Sequence, residues 1–173
     1  EKNIFGVVGM KHSIVDNKKK IDYKNKAIAY SHNNEDMRFE LGGRKAVTGS
    51  AVIDIIMPAG GLYASTGDLY QYFKALNQSK LLSQKTFRLM QDKHAVKGKM
   101  AAEQVSIHYG YGLLITENGK AKSIGHNGVD WGVGSRFEYY PEQDIYVIVL
   151  SNYGGMASSN VADHIKDLIE PND

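Results

Sequence analysis

Apolar side chains recur at Leu69, Tyr72, Phe73 and Leu76, the i, i+3, i+4, i+7 spacing of one helical face. Ser65 with Asp68 three residues later starts that helix as a capping box with a short acidic partner. Ser83 opens a second, shorter helix, with Leu82 and Phe87 placed as the two halves of a hydrophobic staple. Asn160 is expected to cap a third, which carries Val161, Ile165, Leu168 and Ile169 on one face and stops before Pro171. Residues 1–60 are weakly patterned. Their short apolar pieces, Ile4-Phe5, Val7-Val8 and Ala27-Ile28-Ala29-Tyr30, read as a helix end followed by loops and short strands.

Between the second and third helices the pattern turns to strands. Tyr109–Thr116 and Ala121–Gly125 flank Glu117-Asn118-Gly119-Lys120, and Asn-Gly is a strong hairpin signal. Ser135–Tyr140 and Ile145–Ser151 flank a second turn, Pro141-Glu142-Gln143-Asp144. The run from Ile145 to Leu150 does not alternate, so that strand is expected to be covered on both faces, one of them by the C-terminal helix. The fold class is therefore α+β: an antiparallel sheet with a C-terminal helix packed on it, plus short helices.

Composition narrows the function classes. The 173 residues are 42% hydrophobic and 23% charged, as in an ordinary globular chain. The 21 basic and 19 acidic residues nearly cancel, which leaves no nucleic-acid footprint. Lysines cluster locally between Lys11 and Lys26; a solvated loop is the simple reading, and an anionic wall polymer or lipid headgroup the alternative. With no Cys, disulfides, thiol nucleophiles and thiolate metal sites are excluded. The apolar run Ile145–Leu150 is too short to span a bilayer. The chain opens on Glu1-Lys2-Asn3 without Met, and is expected to be a processed or partial chain.

Searches for familiar chemistry mostly come back empty. The six His never pair at i, i+4, and there is no P-loop and no Gly-x-Ser-x-Gly elbow. One segment is more specific. Gly125-His126-Asn127-Gly128 ends an expected strand, followed by Arg136-Phe137-Glu138-Tyr139-Tyr140 and Val147-Ile148-Val149-Leu150-Ser151-Asn152. Upstream stand Ala59-Gly60-Gly61-Leu62-Tyr63-Ala64-Ser65-Thr66-Gly67-Asp68-Leu69, then Leu81-Leu82-Ser83, and near the start Ile4-Phe5 followed by Gly9-Met10-Lys11-His12-Ser13. In this order they resemble the C-terminal half of the serine β-lactamase and penicillin-binding-protein-like hydrolases, in the class C and esterase branch. Gly6-Val7-Val8 departs from the Pro-Leu pair common there, and residues 32–57 carry no recognisable motif.

The resemblance implies that residues 1–173 form the C-terminal portion of a β-lactamase/transpeptidase-like domain, with the nucleophile-bearing half absent. Such enzymes use a Ser-x-x-Lys nucleophile, a Tyr-x-Asn or Ser-x-Asn relay and a Lys-Thr-Gly or His-x-Gly strand. Only the last is found, as His126-Asn127-Gly128; no Ser in the chain is followed by Lys at the third position. Tyr23-Lys24-Asn25 spells the relay but follows the Gly-Met segment that it should precede, so it is read as a coincidence.

By resemblance, Val129 N–H would donate to the oxyanion of an acyl-transfer reaction, and His126 would stand where the family has Lys. Unlike Lys, its charge would change near neutral pH. Gly128 would let substrate approach the backbone, and Asn127 would face substrate. The plainer alternatives are a strand-end His bonded to a loop carbonyl, and a glycine serving turn geometry. Tyr153 and Trp131 flank strand ends as wall candidates, with packing the better role for Trp131. No cofactor or metal is implied.

The parent is expected to act outside the cytoplasm on β-lactams, peptidoglycan-type D-amino peptides or small esters, with the isolated chain inactive and prone to self-association. The rival reading is a binding or regulatory module that keeps the fold without catalysis.

Overall fold

The computed structural model describes residues 1–15, 25–31, 45–46, 60–100, 105–118, 121–130 and 132–169. A four-residue helix α1 (Phe5–Val8) leads into β1 (Ile14–Val15), which pairs antiparallel with β4 (Leu62–Tyr63). Between them, β2 (Tyr30–Ser31) pairs with β3 (Lys45–Ala46). Helices α2 (Thr66–Asn77) and α3 (Gln84–Met90) follow. Then come β5 (Ala95–Met100), β6 (Val105–Tyr109), β7 (Leu114–Glu117), β8 (Lys122–Asp130), β9 (Val133–Tyr140) and β10 (Ile145–Ser151), and α4 (Ala157–Ile169) closes the described chain. These six strands form one antiparallel sheet in the order β10-β9-β8-β7-β6-β5.

Both early caps form as their sequences dictate. Ser65 Oγ accepts the Asp68 N–H at 3.1 Å, and Ser83 Oγ accepts the Thr86 N–H at 3.1 Å. The apolar stripe of α2 buries Leu69, Phe73 and Leu76. Phe73 and Leu76 join Phe87, Leu113 and Ile124 in a core on one sheet face, with Leu82, Phe137, Tyr139 and Tyr146 packed around it. Each side chain so buried contributes about 1.5–3 kcal/mol. On the opposite face α4 lays Ala162, Ile165 and Ile169 over Tyr140, Val147 and Val149. Strand β10 thus has α2 on one face and α4 on the other, as its unbroken apolar run implied.

An ionic network ties α4 to β9. Buried Glu138 accepts from Arg136 at 2.8 Å and from the Tyr140 hydroxyl at 2.9 Å, and Arg136 also reaches Asp163 on α4 at 3.3 Å. Burial by itself would lower the Arg136 pKa, but the Glu138 and Asp163 carboxylates outweigh it and raise the guanidinium above its ordinary value.

Four expectations change. Tyr109–Thr116 is not one strand. The chain turns at Gly110, whose N–H donates to Leu113 O at 2.8 Å, and Gly112 takes a φ of +71°. Asn160 is not a cap: α4 begins at Ala157, after Gly155 at φ +77°, and the Asn160 N–H already donates to Met156 O at 2.8 Å. The stripe of α4 turned to the sheet is accordingly buried Ser158 and Ala162 with half-buried Ile165 and Ile169, while Val161 and Leu168 are exposed, the latter at 86%. Finally, β8 runs five residues beyond Gly125, because seven consecutive pairs with β9, from Ile124↔Tyr139 to Asp130↔Val133, hold it extended. Among the described residues, no helix is long and apolar enough to cross a membrane.

Candidate active site

The four residues singled out in the sequence, His126, Asn127, Gly128 and Val129, are consecutive within β8 rather than beyond its end. Their position follows from unequal neighbours. On one side β9 pairs with them throughout. On the other, β7 starts at Leu114, opposite Gly125, so the strand pairing stops one residue before His126. Gly128 is exposed, and so is Val129 at 51%. An extended strand turns alternate N–H and C=O groups to each edge, so this length, unpaired on that side among the described residues, offers backbone donors to an incoming group.

Register divides the side chains between two faces. His126 pairs with Phe137 and Gly128 with Ser135, so these four share the face of the α2–α3 core. Asn127 pairs with Arg136 on the α4 face. Because Arg136 is occupied by Glu138 and Asp163, its charge is directed into α4 and away from the strand edge.

His126 is held at both ring nitrogens. Nδ1 lies 2.7 Å from the carbonyl oxygen of Asn127, and Nε2 lies 2.8 Å from the Tyr109 hydroxyl. The two rings meet edge to face with centroids 5.7 Å apart. The carbonyl that His126 meets belongs to the next residue of its own strand rather than to a loop, and a tyrosine is added. At Gly128 an added Cβ would come 2.9 Å from Ser135 Oγ, which itself donates to Gly128 O at 3.5 Å. The missing side chain makes room for that hydroxyl.

Sequence reasoning passed over Tyr109 and Ser135. Ser135 had no signal of its own, since it reaches the site only through the β8–β9 register. Tyr109 had one: it precedes Gly110-Tyr111-Gly112, a turn that fixes where its strand ends. Tyr153 lies in the turn after β10, bridged to Tyr30, and the Asn152 side chain donates to Ile28 O at 3.0 Å. Residues 28–31 thereby cross the end of the sheet beside the β8–β9 turn, where the Tyr30 N–H also donates to Gly132 O at 3.3 Å. Trp131 and Tyr23 lie outside the described residues.

Among the described residues, serine hydroxyls bond to Asp68, Thr86, Glu138 and backbone groups, and none to a Lys or to a His ring. Nor do three His, Asp or Glu side chains come together among them as metal ligands.

The decisive comparison is with families. The β-lactamase family model matches residues 1–169. The chain belongs to the β-lactamase family. The match runs through residues 32–57, where motifs alone gave nothing. Three solved structures show the same β-lactamase-like fold. The penicillin-binding protein from Bacillus halodurans is 21% identical and superposes at a TM-score of 0.74, over 96% of this chain and 48% of its own. An octameric penicillin-binding protein homologue from Pyrococcus abyssi is 26% identical, at 0.76 over 97% and 36%. The D-amino acid amidase from Ochrobactrum anthropi SV3, complexed with L-phenylalanine amide, is 21% identical, at 0.69 over 95% and 49%. The chain thus spans less than half the length of each. No curated protein matches it.

Proposed function

We propose that this chain supplies the His-x-Gly strand of a serine hydrolase that transfers acyl groups from amides, β-lactams or small esters of D-amino-acid type. The observation that carries the reading is the edge of β8 from His126 to Val129, unpaired among the described residues once the β7 pairing stops and exposed at Gly128 and Val129, within a β-lactamase-family fold. In such a reaction a serine oxygen adds to the substrate carbonyl, and the C–N or C–O bond breaks as the leaving group takes the serine's proton. Water then releases the acid. The oxyanion formed at each stage needs fixed N–H donors, and Val129 N–H is assigned as one of them.

The chain alone is inactive in this reading. It contains no Ser-x-x-Lys, and a serine needs a base within hydrogen-bond reach to attack. We assign residues 1–173 to the C-terminal portion of such a domain, with the nucleophile supplied from outside this sequence. An extracytoplasmic setting and self-association belong to the same proposal. The octameric state of the Pyrococcus abyssi homologue supports the latter.

Intact-mass measurement with penicillin and a fluorophosphonate tests the reading. The chain alone should remain unmodified. Joined to the Ser-x-x-Lys-bearing half of a family member, it should gain one adduct, and His126→Ala should slow its formation. A stoichiometric adduct on the isolated chain overturns the assignment. A joined protein that folds but neither acylates nor hydrolyses an ester favours the non-catalytic module, to which the full engagement of both His126 ring nitrogens also points.

A further inference from the structure

The hydrogen bonds around His126 fix the tautomer of its neutral ring. A backbone carbonyl can only accept, so Nδ1 carries the proton and donates to Asn127 O at 2.7 Å. In the neutral ring Nε2 then has only a lone pair, so at 2.8 Å the Tyr109 O–H is the donor. The register does not explain this meeting. Tyr109 lies in line with Leu114 and Gly125, one residue short of His126, which puts the two side chains on opposite faces of the sheet. They meet where β7 has stopped and where no described strand pairs with that edge of β8.

The Tyr109 backbone is held from the end of α3 and the turn that follows it. Its carbonyl accepts the His94 N–H at 3.1 Å, and the Tyr111 N–H donates to Met90 O at 3.0 Å. Gly110 packs so closely that an added Cβ would fall 2.0 Å from Met90 O. The phenol is therefore aimed by a rigid corner, which is how supporting residues orient a functional imidazole.

We propose that Tyr109 is the positioning residue of His126, holding its neutral ring as the Nδ1–H tautomer with Nε2 accepting from the phenol, beside the edge of β8 where the β7 pairing stops. The inference rests on the hydrolase reading of that edge. It makes the Tyr109–His126 pair the group that stands where the family has lysine. While the ring is neutral, neither of its nitrogens has an N–H to spare for substrate, and the Tyr109 oxygen keeps its lone pairs.

Nitrogen-15 NMR of the histidine rings in the full 173-residue chain tests this without any turnover. Neutral His126 should carry its proton on Nδ1, and the Tyr109 hydroxyl proton should correlate with Nε2 across the hydrogen bond. Tyr109→Phe should shift the Nε2 resonance, while Tyr111→Phe, which removes an exposed phenol, should leave it in place. A neutral ring protonated on Nε2, or a folded Tyr109→Phe chain with unchanged ring resonances, overturns the proposal. If Tyr109→Phe fails to fold, the tautomer and the hydroxyl correlation in the unmodified chain still decide it. Because no step depends on acylation, failure here is separable from failure of the hydrolase reading.

Discussion

The carbonyl oxygen of Phe137 occupies the place where a Cβ on Gly125 would stand, 1.9 Å from its ideal position. The next nearest atom is Glu138 Cα at 2.9 Å, so both obstacles are backbone and neither can rotate away. Gly125→Ala must therefore part β8 from β9 just before His126. The cost should reach about 3 kcal/mol, the upper end for overpacked sites. Urea unfolding checks it: a midpoint within error of the parent's would mean that the strands tolerate a side chain here.

Glu138 is the second point of sensitivity, because it is buried with Arg136 and Tyr140 both bonded to it. Glu138→Gln keeps the shape but leaves the guanidinium short of a partner. Breaking a buried pair from one side costs about 3–5 kcal/mol. Asp163 still neutralises part of the Arg136 charge, which places the expectation at the low end. Adding Arg136→Met should recover part of the loss, since an uncharged partner no longer needs the carboxylate. A double mutant less stable than the single one would show that the pair is not the source of the effect.

The pattern of what the sequence revealed follows the range of the forces involved. The starts of α2 and α3 were legible at Ser65 and Ser83 because a cap and its partner lie within three residues. The β7–β8 hairpin was legible at Asn118-Gly119, with Asn118 Oδ1 accepting the Ala121 N–H at 2.8 Å. The extent of β8 was not, because His-Asn-Gly-Val has neither alternation nor strand propensity, and only pairing with β9 extends it. β5 was invisible for a similar reason: Ala-Val-Lys-Gly-Lys-Met gives no two-sided pattern and bulges between Val96 and Gly98. Within the site, His126 stood out as a motif, whereas Tyr109 reaches it only through the fold.

Asp68 should prove more than a cap residue. Its Oδ2 accepts the His12 N–H and the Ser13 hydroxyl, each at 2.7 Å, and so fastens the turn after α1 to the start of α2. Asp68→Ala leaves the His12 N–H without that acceptor, at a cost of about 1.5–3 kcal/mol for bonds to a charged group. Amide exchange should quicken at His12 and Ser13 well before it does in β8 and β9, since only the local tie is lost. Uniform loss of protection across the sheet would mean that the first 15 residues unfold together with it.

Alkaline pH should weaken the α2 face of the sheet. Tyr139 stacks on Tyr146 with ring centroids 4.5 Å apart, and its hydroxyl donates to Asp144 at 3.2 Å. Burial first, then that hydrogen bond, pushes the phenol up to about 12 from its ordinary value of 10.0. Tyr146 and Tyr72 are raised as well, each chiefly by burial. A group whose folded pKa exceeds its unfolded one favours folding fully below the unfolded value. Between pH 10 and 12 the unfolded chain releases a proton that the folded Tyr139 keeps, so the folded state binds more protons and stability falls as pH rises. Thermal midpoints should thus decline across this window. Asp144→Asn should shift the Tyr139 titration downward, because the phenol then no longer donates to, or sits beside, a carboxylate. Phenolate absorbance in the folded chain gives the direct reading. Ionisation of all 11 tyrosines at the ordinary value, with no late-titrating fraction, would contradict the half-buried stack.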